Sequence, residues 1–179
     1  MPRSMDAGVC SGRRLSIIMC RVIVPVTSIE PGVLDALQGV PYEVHDVSSD
    51  DEAYWRLLDE LWRHGDDFAI VEQDIQVRTG TLASFEECPN GWCAASYRYL
   101  GSTNYAGLGC TRFRAEFIAE HPDLIKRAGE YHDELHPRRH WCVQDAAMQF
   151  ALRDRRQFAC VDHGTVEHLG DCRPSHGCC

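Results

Sequence analysis

Lysine is almost absent from this chain. Lys126 is the only one among 18 basic residues, and it lies in a segment typical of a surface helix. Schiff-base chemistry needs a lysine amine, and a P-loop needs a lysine behind its glycine-rich turn. The composition therefore argues against both classes of enzyme.

Long apolar runs are also missing. The stretch from Leu15 to Val26 is interrupted by Arg21 and continues into a strand pattern, which predicts neither a signal peptide nor a membrane span. We therefore predict a cytoplasmic protein without membrane contact, in which the ten cysteines are reduced.

Acidic residues outnumber basic ones, and the net charge is −9. Tight nonspecific binding to nucleic acid needs a basic surface, so it is not expected, although the clusters Arg138–Arg139 and Arg153–Arg156 could hold a substrate locally. The length suits one domain. We predict a disordered leader over residues 1–18, with Met19 as a candidate start, a single domain over 19–174, and a Cys/His-containing tail over 175–179.

Strand and helix patterns alternate along the chain, which predicts an α/β sandwich with a mostly parallel central sheet flanked by helices. A capping box at Ser49–Glu52 is expected to open a helix that ends at Gly65. The predicted strands are 21–28, 42–48, 68–77, 92–99 and 158–162, and the predicted helices are 49–64, 80–87, 111–120 and 143–153.

The strand predicted over 68–77 carries two carboxylates. An apolar run from Phe68 to Val71 is followed by Glu72 and Asp74. Residues two apart in a strand share a face, so both carboxylates are expected to converge on one divalent cation at the rim of the sheet. A solvated acidic turn is the simpler alternative.

Metal-capable side chains are dense near the end of the chain. A structural zinc site there is an alternative, although the paired knuckle spacings of zinc sites are missing. These residues are His163, His168, Cys172, His176, Cys178 and Cys179.

Several short segments together resemble a small glycosyltransferase of the GT-A fold, a Rossmann-like architecture. Val71–Ile75 is similar to that family's metal-binding Asp-x-Asp motif, here Glu-Gln-Asp. Gly107–Arg114 resembles its sugar-pocket segment, and Trp141–Asp145 its late helix with a functional Asp. Val166–Gly170 resembles the loop whose His completes the metal site.

The resemblance implies a hexosyltransferase-like enzyme with Mn²⁺ or Mg²⁺ as cofactor. Its metal ligands would be Glu72, Asp74 and His168. Asp145 would accept the proton of the acceptor hydroxyl. The donor, expected to be a UDP-sugar, would be bound by Pro25, Val26, Thr27, Gly107, Gly109 and Arg173. The acceptor stays open: a protein, a modified DNA base, a glycan or a small molecule.

Other interpretations of these residues remain open. Asp145 could simply favour the first turn of a helix, and His163 is the alternative metal ligand to His168. Gly107 and Gly109 could form a turn before a helix N-cap at Thr111.

Two other functions also remain open. A sugar nucleotidyltransferase would need a glycine-rich loop and a basic residue after the first strand, and neither is evident. The other alternative is a non-catalytic binding protein stabilised by zinc, which retained zinc would favour.

Overall fold

The computed structural model describes residues 20–99, 102–105, 107–136 and 143–169. The predicted leader and tail lie outside these residues, as do Arg173, Trp141 and the Arg138–Arg139 cluster. Among the described residues, no helix is both long enough and apolar enough to cross a bilayer. Five cysteines lie among the described residues, and all five are free thiols: Cys20, Cys88, Cys93, Cys110 and Cys160.

A five-stranded mixed sheet forms the centre of the fold, so the predicted α/β class is confirmed. The strands are β1 (Arg21–Val26), β2 (Glu43–Asp46), β3 (Phe68–Val71), β5 (Trp92–Ala94) and β8 (Cys110–Phe113). Their order in the sheet is β2-β1-β3-β8-β5. β1 is parallel to β2 and β3, whereas β8 is antiparallel to β3 and β5. Because only two of the four pairings are parallel, a mostly parallel sheet is not confirmed.

Helices cover both faces of this sheet because its buried strands are apolar on both sides. The helices are α1 (Pro31–Ala36), α2 (Ala53–His64), α3 (Thr81–Glu87), α4 (Ala115–Glu120), α5 (Leu124–Leu135) and α6 (Gln144–Asp154). In β1, Ile23 packs into one core with α2, α5 and α6, while Val22 and Val24 pack into the other with α1 and α3. Two small ribbons complete the fold, β4 (Ile75–Gln76) with β9 (Glu167–His168) and β6 (Tyr97–Tyr99) with β7 (Ser102–Tyr105).

Helix α2 matches its prediction except at its start. Its apolar stripe is buried, and Gly65 ends the helix at φ 76°, as predicted; the stripe consists of Tyr54, Leu57, Leu58, Leu61 and Trp62. The predicted capping box is wrong. Asp50 Oδ1 instead accepts the N–H of Glu52 at 2.9 Å, and Glu52 makes no side-chain cap. The local turn formed by the aspartate therefore replaces the reciprocal serine–glutamate pair.

Two other element predictions are wrong. Cys110–Phe113 is a strand rather than the first turn of a helix, because it pairs between β3 and β5. Helix α4 begins only at Ala115, whose N–H is accepted by Asp67 Oδ1 at 2.8 Å. Over 158–162 only Cys160 makes a bridge, to Cys93, and Phe158 is 74% exposed.

Candidate functional site

A tight turn, rather than one continuous strand, presents the two carboxylates. β3 ends at Val71, and the carbonyl of Glu72 accepts the N–H of Ile75 at 3.0 Å, where β4 begins. The predicted single strand over 68–77 is therefore wrong at its centre. Glu72 and Asp74 are half-buried at the carboxyl end of β3. Their proximity comes from the turn and not from strand alternation.

Strand β9 brings His168 to this turn. It pairs antiparallel with β4, and Ile75 lies opposite His168. His168 Nε2 lies 3.3 Å from Asp74 Oδ2, and the N–H of Leu169 donates to the Asp74 carbonyl at 2.7 Å. The side chains of His168 and Asp74 are 12% and 27% exposed. The structure thus brings these two residues together as predicted, while their role as metal ligands stays a prediction.

His163, the alternative ligand, faces a different part of the molecule. Its Nδ1 lies 2.9 Å from Ser84 Oγ, and its ring contacts Phe85 edge-on at a centroid distance of 4.8 Å. Both partners belong to α3. Of the two candidate histidines, only His168 is placed beside Asp74.

Asp145 lies in the first turn of α6 and also belongs to this site. Its Oδ1 accepts the N–H of Leu108 at 2.6 Å, and its Oδ2 accepts the hydroxyl of Tyr97 at 3.2 Å. Burial raises the pKa of Asp145, and these two hydrogen bonds offset only part of that effect. The carboxyl therefore has an unusually high proton affinity and is anchored to two other segments of the chain.

Glu72 has a buried partner on α2. The Tyr54 hydroxyl donates to Glu72 Oε1 at 2.8 Å. Burial raises the pKa of Glu72 well above its usual range, and the charges of Asp145 and Asp74 raise it further. Carboxylates that repel one another in this way favour a cation between them. Oxygen ligands with one imidazole suit Mn²⁺ or Mg²⁺, so the residues present fit such an ion.

The candidate ligand atoms of Glu72, Asp74 and His168 do not all lie around one point in this structure. Among the described residues, only a separate Cys/His group, treated below, has all its ligand atoms within 4.8 Å of one another. The carboxylate of Glu72, held by Tyr54, would have to turn toward Asp74 to share an ion with it. Rotations of single side chains are common when a protein binds a partner.

The cavity beside the carboxylates is bounded by the loop that follows β1. Gln73 Oε1 accepts the N–H of Thr27 at 2.5 Å, the Thr27 hydroxyl at 3.1 Å and the N–H of Ser28 at 3.0 Å. This side chain fixes the loop against the turn. The cavity is lined by Pro25, Thr27, Val47, Tyr54, Glu72, Gln73 and Asp74. Val26 is half-buried and packs against the core, and its predicted part in donor binding stays a prediction.

The two predicted donor-binding glycines are buried. A Cβ on Gly109 would lie 3.1 Å from the side chains of Ile75 and Tyr97, and its carbonyl accepts the N–H of Glu72 at 2.8 Å. Gly109 thus lets β8 approach the carboxylate turn closely. The predicted N-cap at Thr111 is not formed, and donor binding by Gly107 and Gly109 stays a prediction.

Three side chains at this site were missed in the sequence. The side chains of Tyr54 and Tyr97 are buried like core residues, at 6% and 2% exposure. Their hydroxyls nevertheless reach Glu72 and Asp145. A buried tyrosine hydroxyl usually needs a hydrogen-bond partner, and that requirement was the available signal. No sequence signal marked Gln73.

Comparison with known proteins gives little. No family model and no curated protein matches the chain. A197 from STIV has a TM-score of 0.40 and 17% identity, over 56% of this chain and 67% of that one. A glycosyltransferase involved in the glycosylation of the major capsid of PBCV-1 has a TM-score of 0.45 and 10% identity, over 87% and 97%. Likenesses this distant support no assignment.

Proposed function

We propose that this chain is a metal-dependent glycosyltransferase. It moves a sugar from a nucleotide-diphosphate donor, for which we expect a UDP-sugar, to an acceptor hydroxyl. The main support is that Asp74, from the turn after β3, lies 3.3 Å from His168 of β9, while Glu72 is close enough to Asp74 and Asp145 for their charges to raise its pKa. Of these residues, Glu72 and Asp74 border a cavity at the carboxyl ends of β1 and β3, where ligands bind in α/β sheets.

The metal ligands in this proposal are Glu72, Asp74 and His168. A bound Mn²⁺ or Mg²⁺ would neutralise the charge on the diphosphate leaving group. Two tyrosines contact the proposed ligands. Tyr54 holds the carboxylate of Glu72, and the ring of Tyr97 stacks on the imidazole of His168.

Asp145 is the proposed general base. An inverting transfer needs a carboxylate that accepts the proton of the acceptor hydroxyl. The raised pKa of Asp145 brings its proton affinity closer to that of a base working near neutral pH. The N–H of Leu108 and the hydroxyl of Tyr97 would hold the carboxylate oxygens in place during this transfer.

Donor recognition is assigned to the loop after β1. Pro25 and Thr27 line the cavity, and Gln73 fixes the backbone at Thr27 and Ser28. Arg173 remains the proposed partner of the diphosphate, by bidentate hydrogen bonds. The acceptor is not assigned.

A sugar nucleotidyltransferase is the less favoured alternative. Such enzymes carry a glycine-rich loop and a basic residue after the first strand. Here β1 is followed by Thr27, Ser28, Ile29 and Glu30, and the N–H groups of Thr27 and Ser28 donate to Gln73. They are therefore not free to cradle a phosphate.

A panel of nucleotide sugars, screened by thermal shift with and without Mn²⁺, tests the proposal. A matched donor should raise the melting temperature only when Mn²⁺ is present. At a hundredfold excess over its Kd, the donor should increase the unfolding free energy by about 2.7 kcal/mol. If no nucleotide sugar stabilises the protein in Mn²⁺ or Mg²⁺, the proposed function is wrong.

A further inference from the structure

A second cluster of metal-capable side chains lies between α3 and the segment that follows α6. It contains Cys88, Cys160 and His163. One ligand atom from each of them lies within 4.8 Å of the other two. Cys88 follows the end of α3 directly, and Cys160 and His163 lie between α6 and β9. The cluster shares no residue with the carboxylate site.

A third thiol adjoins this group. The thiols of Cys88 and Cys93 are close enough for each to shift the pKa of the other, although the Cys93 sulfur is not one of the atoms that lie within 4.8 Å of one another. The backbones of Cys93 and Cys160 lie side by side: the N–H of Ala94 donates to the Cys160 carbonyl at 3.0 Å, and the N–H of Cys160 donates to the Trp92 carbonyl at 3.1 Å. Three sulfur atoms and one imidazole therefore come from two neighbouring segments.

Hydrogen bonding fixes the tautomer of His163. The Ser84 hydroxyl donates to the Thr81 carbonyl at 2.7 Å, so its oxygen must accept the hydrogen of His163 Nδ1 at 2.9 Å. The lone pair is then on Nε2, which is buried and has no hydrogen-bond partner among the described residues. A histidine that is held through one nitrogen, has the other nitrogen free and lies beside two thiols is arranged as a metal ligand.

Arg112 supplies the charge balance that a metal–thiolate centre needs. Its side chain is 0% exposed, and Nη2 lies 3.1 Å from Cys93 Sγ, while it also donates to the carbonyls of Cys88 and Asn90. A buried cation is costly unless it is paired. Zn²⁺ with three thiolates and a neutral imidazole carries one negative charge, which matches the single positive charge of Arg112.

We propose that Cys88, Cys93, Cys160 and His163 form a structural zinc site. Soft thiolates with one imidazole are the ligands that tetrahedral Zn²⁺ takes in closed sites. The spacings are Cys-x4-Cys and Cys-x2-His. The ion would join the α3–β5 connection to the segment that leads into β9 and so support the strand that carries His168. This proposal does not depend on the proposed glycosyltransferase activity.

Zinc content tests the site directly. Wild-type protein, purified without added metal and then desalted, should retain one zinc ion per chain by elemental analysis. Cys160→Ala and His163→Ala should lose it, whereas the matched control Cys110→Ala, which removes a buried free thiol from β8, should keep it. Zinc that stays in both Cys160→Ala and His163→Ala would overturn the assignment.

Cobalt substitution keeps the test valid if a variant fails to fold. The wild-type protein, stripped of zinc and loaded with Co²⁺, should give the visible bands of tetrahedral cobalt and a thiolate charge-transfer band in the near ultraviolet. Added Zn²⁺ should abolish both. An octahedral cobalt spectrum without charge transfer, or wild-type protein that contains no zinc, would also overturn the proposal.

Discussion

The ring of Tyr97 lies nearly parallel to the imidazole of His168, with centroids 5.6 Å apart and planes at 20°. The Tyr97 hydroxyl meanwhile donates to Asp145. One buried side chain from β6 thus contacts both the proposed metal-binding histidine and the proposed base. The relative position of those two groups depends on Tyr97.

Substitutions of Tyr97 separate its two contacts. Tyr97→Phe keeps the ring and removes one hydrogen bond, so the unfolding free energy should fall by about 1 kcal/mol with Mn²⁺ affinity nearly unchanged. Tyr97→Leu also removes the stacking on His168 and should weaken Mn²⁺ binding, as measured by electron paramagnetic resonance. Equal Mn²⁺ affinity in the two variants would contradict this role of the ring.

Asp74→Asn should abolish metal binding with little effect on folding. Asp74 is partly exposed at an open turn, so the unfolding free energy should change by only about 0.5 kcal/mol. Asp59→Asn, on the exposed face of α2, is the matched control. Urea unfolding measures the change in stability, and Mn²⁺ titration measures metal binding. If Asp74→Asn bound Mn²⁺ as tightly as Asp59→Asn does, Asp74 would not be a metal ligand.

The stability of the metal-free protein should depend on Glu72 and pH. The pKa of Glu72 is raised in the folded chain, whereas the unfolded value is about 4.3. Between those values the folded chain holds a proton that the unfolded chain releases, so stability falls as pH rises through that window. Glu72→Gln should reduce this slope in urea unfolding series at several pH values. An unchanged slope would contradict the raised pKa.

Asp145→Asn should separate binding from transfer. The amide oxygen can still accept the N–H of Leu108, so donor binding in Mn²⁺, measured by calorimetry, should persist. Loss of the general base should lower the transfer rate by roughly 10²- to 10⁴-fold. Loss of donor binding with the fold intact would assign Asp145 to the donor instead.

Periodicity predicted the helices α2 and α6 well, whereas α5 (Leu124–Leu135) is not among the predicted elements and the short strands were predicted poorly. The apolar stripe of α2 is a strong signal over three turns, and its core position is confirmed. Cys110–Phe113 has no such signal, because its strand conformation depends on pairing with β3 and β5. The break between β3 and β4 likewise reflects the backbone turn at Glu72.

The carboxylate site was partly predictable, because an apolar run that ends in Glu72 and Asp74 marks a strand end. The approach of His168 depends on the pairing of β9 with β4, which only the fold reveals. The cysteine cluster was not predicted because the segment densest in metal-capable residues begins at His163, whereas the cluster combines Cys160-x2-His163 with Cys88-x4-Cys93. Since this cluster is separate from the carboxylates, retained zinc does not favour a non-catalytic protein.

Calorimetric titration of a nucleoside diphosphate tests the central claim most directly. The nucleoside is the one selected by the thermal-shift panel, and it is titrated with and without Mn²⁺. The account predicts binding to the wild-type protein and to Asp59→Asn only when Mn²⁺ is present, and none to Asp74→Asn. Binding that is independent of the metal, or that persists in Asp74→Asn, would contradict it.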